Sequence, residues 1–164
     1  MVAARTVIRH PTFSIALWNN VVIANIQGEV DAEGVRRIGE VYLSLHGSYP
    51  DGIAGITMLR TSLTVGTSDT NAEAKRLMQA LRHRLRHIAI VIEAQGFVAS
   101  LIRAVVRTLN SVARSSVLSL AKDLDEAVRA VTPYVQARDV RARHQLQAEL
   151  LQAVMAVRDD EAPG

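Results

Sequence analysis

The sequence predicts an α/β domain, a mixed sheet of about five strands with helices packed on it, plus an added C-terminal helix. Three observations carry this. Two β-rich runs, 13–18 and 21–26, are separated only by Asn19 and Asn20, which tolerate the left-handed backbone of a tight hairpin. Short apolar runs at 53–59, 88–94 and 116–121 then alternate with stretches of helical period. Runs without a polar face, placed between helices, read as parallel strands covered on both sides. Finally, 164 residues with 49% hydrophobic and 21% charged side chains suffice for one well-buried core.

Each element has a local reason. In the first strand Phe13, Ile15 and Leu17 alternate toward one face, and Gly28 ends the second. Asp31 is an N-cap for a helix with Val35, Ile38, Val41, Tyr42 and Leu45 on one side. Gly34 and Gly39 weaken that helix by about 1 kcal/mol each relative to Ala, and permit close packing. Gly47 suits the C′ position, and Tyr49-Pro50-Asp51-Gly52 makes the turn into strand 53–59. A polar loop, 61–69, follows.

Thr70-Asn71-Ala72-Glu73 has the form of a capping box, opening a helix with Leu77, Met78, Leu81, Leu85 and Ile88 on its stripe. After strand 88–94 and the Gln95-Gly96 turn, Val98, Leu101, Ile102, Val105, Leu109 and Val112 mark the next helix. Strand 116–121 leads to a short helix from Asp123, stopped at Thr132-Pro133 because a residue before proline leaves the α region. Leu146, Leu150, Val154 and Val157 place a final helix at 139–157. The chain thus divides into an N-terminal extension (1–11), the α/β domain (12–132), a helical extension (133–158) and a disordered tail (159–164).

Composition excludes several function classes. With no cysteine there is no disulfide framework, thiolate zinc site or cysteine nucleophile. No Gly-x-Ser-x-Gly elbow, Gly-x-Gly-x-x-Gly run or Walker loop occurs, so hydrolase and nucleotide chemistry have no handle. His83 and His87 share the i, i+4 spacing of a zinc helix, but Arg84 and Arg86 interleave and no further ligand is in view. Glu93 closes a strand where α/β folds often place ligands, and reads as an ordinary strand-end carboxylate. No apolar run reaches the length of a membrane span, and the basic N-terminus lacks a signal core. The reading is a soluble cytoplasmic protein, non-enzymatic, with no metal and no cofactor.

The net charge of +3 conceals an uneven distribution. Residues 1–59 carry −1, residues 60–114 carry +6 and residues 115–164 carry −2. The basic block consists of Arg60, Lys75, Arg76, Arg82, Arg84, Arg86, Arg103, Arg107 and Arg114. It is a candidate basic surface for an acidic partner, set against the plain reading of solvated helix faces. Nucleic acid is disfavoured because no aromatic side chains interleave with these cations.

Gly28-Glu29-Val30-Asp31 after the hairpin, strand 53–59, a Ser/Thr loop opening a helix and the order of the later elements form a familiar pattern. Residues 12–132 resemble a STAS domain, the fold family of anti-sigma-factor antagonists, most closely its SpoIIAA-like branch. The resemblance implies a small bacterial regulatory or scaffold module that binds a protein partner, such as a kinase or signalling protein. In antagonist members a serine in an Asp-Ser-Ser-Gly run is phosphorylated by that kinase. The corresponding stretch here is Thr67-Ser68-Asp69-Thr70, with Ser68 the nearest match and the acid following rather than preceding it. These four residues form the candidate regulatory and interaction site, with Arg60 or Lys75 expected within reach of a phosphate there. The alternative function is a small-molecule or lipid carrier. The apolar stripe of the final helix leads to a homodimer through residues 139–157.

Overall fold

The computed structural model describes residues 3–60, 67–93, 97–136 and 143–160. Six strands form one sheet in chain order: β1 (Arg5–His10), β2 (Phe13–Trp18), β3 (Val21–Ile26), β4 (Ile53–Leu59), β5 (Leu85–Ile92) and β6 (Leu118–Ala121). β1, β2 and β3 pair antiparallel, whereas β3 to β6 run parallel. The parallel part needs crossovers, supplied by α1 (Ala32–Ser44), α2 (Ser68–Leu81) and α3 (Phe97–Ala113). α4 (Leu124–Val131), a 3₁₀ turn (Thr132–Tyr134) and α5 (Arg143–Asp159) follow. The α/β class with a mixed sheet holds, with six strands instead of five.

The alternation of side chains divides the core in two. Phe13, Ile15, Val22, Ile26, Ile53 and Ile88 face α1, α2 and α3. Trp18, Val21, Ile23, Ile56, Met58 and Val91 face α4 and α5. Leu150 and Val154 of α5 are completely buried on that second face. The stripe that suggested a second copy of the chain is therefore covered by the chain's own sheet. Met155, 45% exposed, is the large apolar side chain left on the outward side of α5.

Four sequence expectations need correction. Residues 5–10 are not an extension but the edge strand β1, whose Arg5 and Arg9 point to solvent as edge strands favour. A register shift between Thr6 and Ile8 further irregularises that edge. The helix expected to open at Thr70 starts at Ser68, because Thr67 is the N-cap and its hydroxyl accepts the Thr70 amide at 3.3 Å. Glu73, freed from a capping role, pairs with Arg76 at 3.5 Å. The same helix ends at Leu81, and β5 begins at Leu85. A register shift between Ile53 and Ala54 leaves Arg86 unopposed, so Leu85 and Ile88 both face α1–α3 although three residues apart. A bulged strand thus mimicked helical spacing. Of the final helix, residues 143–157 stand as expected, but it runs on to Asp159, so the helix takes the first residue of the expected tail, while 139–142 and 161–164 lie outside the described residues.

Close packing is tightest where α1 meets β4. A side chain at Gly55 would place its Cβ 2.1 Å from the Tyr42 hydroxyl oxygen and 3.3 Å from Ile88. Tyr42 is buried, and burial pushes its phenol far above the usual range, so it stays neutral. Gly34 makes room for Phe13 of β2, but Gly39 makes room for Leu77 of α2, not for the sheet.

Two stability outcomes follow. Gly55→Ala is expected to cost about 1–3 kcal/mol by overpacking, and Tyr42→Phe in the same chain to recover part of that loss. Urea titration of the double-mutant cycle checks this, since additive losses would mean the two groups do not collide. Leu150→Ala is expected to cost about 2–5 kcal/mol through the cavity under α5. A thermal midpoint unchanged by that substitution would show that α5 is not docked on the sheet.

Candidate functional site

The C-terminal edge of the parallel strands gathers most of the distinctive polar side chains. β4 runs into Arg60, β5 into Glu93 and β6 into Lys122. The N-termini of α2 and α4 lie beyond the corresponding strands, each closed by a side-chain cap. Asp123 accepts the Glu126 amide at 2.8 Å, and the Glu126 carboxylate accepts the Lys122 amide at 2.8 Å. This pair resembles a capping box displaced by one residue, since Glu126 reaches the amide before the N-cap, and it stands at α4 rather than at α2.

Between α4 and the end of α5 lies an open groove of about 570 Å³. Val91, Leu124, Leu151 and Met155 give it an apolar floor, while Glu93, Lys122, Asp123, Asp125 and Arg158 charge its margins. Glu93 is the hub of this edge. Its carboxylate meets Arg158 at 3.1 Å and Arg60 at 3.7 Å. Arg60 also donates to the Arg158 carbonyl at 2.9 Å, and the buried Asn25 amide reaches the Val157 and Arg158 carbonyls at 3.3 and 3.4 Å. Three hydrogen bonds from two side chains thus meet the last turn of α5, whose carbonyls have no partner within the helix. The buried Asn25 carbonyl oxygen and Arg158 Nε have no hydrogen-bond partner among the described residues.

The expected switch residues are only partly brought together with their expected partners. Thr67 is committed to its cap, with its hydroxyl also 3.1 Å from that of Thr70. Ser68 occupies the first turn of α2, exposed, with no hydrogen bond from its hydroxyl to another described residue. Asp69 beside it is exposed and favours the positive end of the helix dipole. Residues 61–66 of the loop lie outside the described residues. Arg60 does not wait for a phosphate, because Glu93 and α5 occupy it. Lys75 is exposed seven residues along α2, about 10 Å up the axis from Ser68.

The other basic residues separate into two groups. Lys75, Arg76 and Arg82 lie on the solvent side of α2, and Arg103 and Arg107 on that of α3. Arg84 and Arg86 sit at the opposite edge of the sheet, where the Arg86 guanidinium donates to the Asp51 carbonyl at 2.6 Å. The block is contiguous in sequence but not a single surface.

His83 and His87 do not share a helix. His83 lies in the turn after α2, and His87 is on β5 facing α4, where it bonds the Ser119 hydroxyl at 2.8 Å and stacks on Tyr134. Among the described residues no cluster of three His, Cys, Asp or Glu side chains is placed to hold a metal ion. No local pattern signals the His87–Ser119 pair, because it depends on the register of β5 against β6. Nearby, buried Asn20 donates to the Gly52 and Tyr134 carbonyls at 3.1 and 2.8 Å and accepts the Gln136 amide at 2.8 Å. Asn20 and Tyr134 therefore hold the chain as it leaves α4. Among the described residues no helix is long and apolar enough to cross a membrane.

With this geometry in hand, comparison with known proteins finds no matching family model and no matching curated protein.

Burial depresses the His87 pKa below its ordinary 6.5. The folded protein then binds fewer protons at this site than the unfolded chain. The stability contribution is complete above the unfolded value and is lost as pH falls through 6.5 toward the folded value. Urea-unfolding free energy is expected to fall between pH 7.5 and pH 5.5, and His87→Gln to lose part of that dependence. An identical pH profile in the variant would show that His87 contributes no linkage.

Proposed function

We propose that the chain is a non-enzymatic regulatory or scaffold module of STAS type, acting by protein contact and switched at the start of α2. The supporting observation is the difference between two adjacent hydroxyls. Thr67 is bound into the helix cap, while Ser68 stands exposed and unengaged in the first helical turn. A phosphate on Ser68 adds about −1.5 to −2 charges where the helix dipole is positive. It leaves the Thr67 cap intact, so modification changes the surface without unfolding the helix. A homodimer through residues 139–157 would use the side of α5 left uncovered, with Met155, because the sheet covers the apolar stripe. The carrier reading rests on the groove beside Glu93, whose volume suits a small ligand but whose charged margins do not suit a lipid chain.

Ser68→Asp is expected to raise stability by about 0.3–1 kcal/mol, as an acid does near a helix N-terminus. It is also expected to change which protein co-purifies from the source cell, relative to Ser68→Ala. Quantitative mass spectrometry of both captures is the test. Equal capture by the two variants and by the unsubstituted chain would end the switch proposal. A small-molecule mass retained in native spectra of the purified chain would favour the carrier.

A further inference from the structure

The strongest charge feature of the molecule lies outside the groove and outside the α2 cap. α2 and α3 pack side by side on one face of the sheet, and their outward sides carry Lys75, Arg76, Arg82, Arg103 and Arg107. Arg114, directly after α3, extends the row. It follows Arg107 by seven residues and is exposed, one residue beyond the end of α3. α3 contains no acidic residue, and α2 contains only Asp69 and Glu73. Glu73 is paired with Arg76, while Lys75, Arg103, Arg107 and Arg114 form no ion pair with another described residue.

Between these cations the exposed side chains are uncharged, Ala80, Ala104 and Thr108 being short and Gln79 longer. The surface is a low floor flanked by long guanidinium arms. That shape suits the carboxylates of a segment laid along the helices, which arginine grips in bidentate fashion. Arg114 adds a second observation. Its φ is +53°, the left-handed conformation that closes α3, where glycine is the ordinary residue. A side chain with a Cβ is strained in that conformation, and the favourable dipole at a helix C-terminus offsets only part of the strain.

We infer that the outward face of α2 and α3 is a docking surface for an acidic protein segment, an amphipathic helix with carboxylates three or four residues apart. This rests on the protein-interaction reading above and specifies the chemistry of its partner. A single strand of nucleic acid would need aromatic platforms, which the exposed positions of these helices do not offer. A membrane would need large apolar side chains projecting beyond the cations, and the floor is made of small ones.

The test uses the full chain and a synthetic Glu-rich helical peptide, with duplex DNA and anionic phosphatidylglycerol vesicles as competing probes. The peptide is expected to bind best, at least about tenfold more weakly at physiological than at low ionic strength. Arg103→Glu with Arg107→Glu is expected to weaken binding tenfold or more. Arg114→Gly separates folding from docking: the thermal midpoint is expected to rise or hold while peptide affinity falls about two- to threefold. Tighter binding to DNA or vesicles, no binding to the peptide, or full affinity in the Arg103/Arg107 variant would each overturn the inference. The Ser68 captures keep the two proposals apart. If Ser68→Asp changes the captured protein while the Arg103/Arg107 variant captures it normally, the regulatory reading stands and this surface falls. If neither variant changes capture, both fall.

Discussion

Four parallel strands with apolar side chains on both faces impose a condition that the rest of the chain must meet. Ile53, Ile88 and Leu118 point one way, and Ile56, Met58 and Val91 the other. Neither set can be left to water. The crossover helices α1 to α3 cover the first face as a consequence of parallel pairing. No crossover is available for the second, so it falls to α4 and α5, which come after the last strand. α5 is in this sense part of the domain and not an appendage to it. Removing it would uncover Ala16, Val21 and Ile23 alongside the strands already named.

A helix that arrives late must be fixed at its ends, and the sheet supplies two buried asparagines for this. Asn20 holds the chain between α4 and α5 through Tyr134 and Gln136. Asn25, five residues on, meets the last carbonyls of α5, and Arg60 joins it there. Asn20 lies in the β2–β3 turn and Asn25 near the end of the interior strand β3, both fully buried among apolar residues, where an unpaired amide would cost roughly 1–3 kcal/mol. Arg9 adds an exposed pair to Asp160 at 2.7 Å, which depresses the Asp160 pKa. Exposed as it is, that pair tethers the edge strand β1 to α5 more than it stabilises either.

This division of labour explains what the sequence could and could not convey. Apolar period and turn chemistry are local, so the hairpin at Asn19-Asn20, the Asp31 cap and strand 53–59 were all legible. β1 was hidden because an edge strand alternates charge with apolar residues and so resembles a basic leader. The Thr70-to-Glu73 spacing points to Thr70 as the cap of α2, and only the observed helix start shows that Thr67 takes that place. The bulge at Arg86 gave β5 the spacing of a helix. At the candidate site, Glu93 could be placed at a strand end, but Arg158 reaches it from the last turn of α5, and Asn25 meets that same turn from 132 residues away. No local pattern records such a contact.

The same layering places the charges. The layer of α2 and α3 is basic on its outward side. The stretch from 115 onward, which builds the opposite layer, carries a net −2. Ser68 opens α2, about 10 Å from Lys75 along the axis. That separation is comparable to the screening length at physiological salt, so a phosphate at Ser68 is felt by the nearest cations of the layer and little by Arg114. On the proposed reading, modification would lower the attraction for an acidic partner at the α2 end and leave it at the far end of α3. The switch would then act by trimming one side of a docking surface, with no change of fold required.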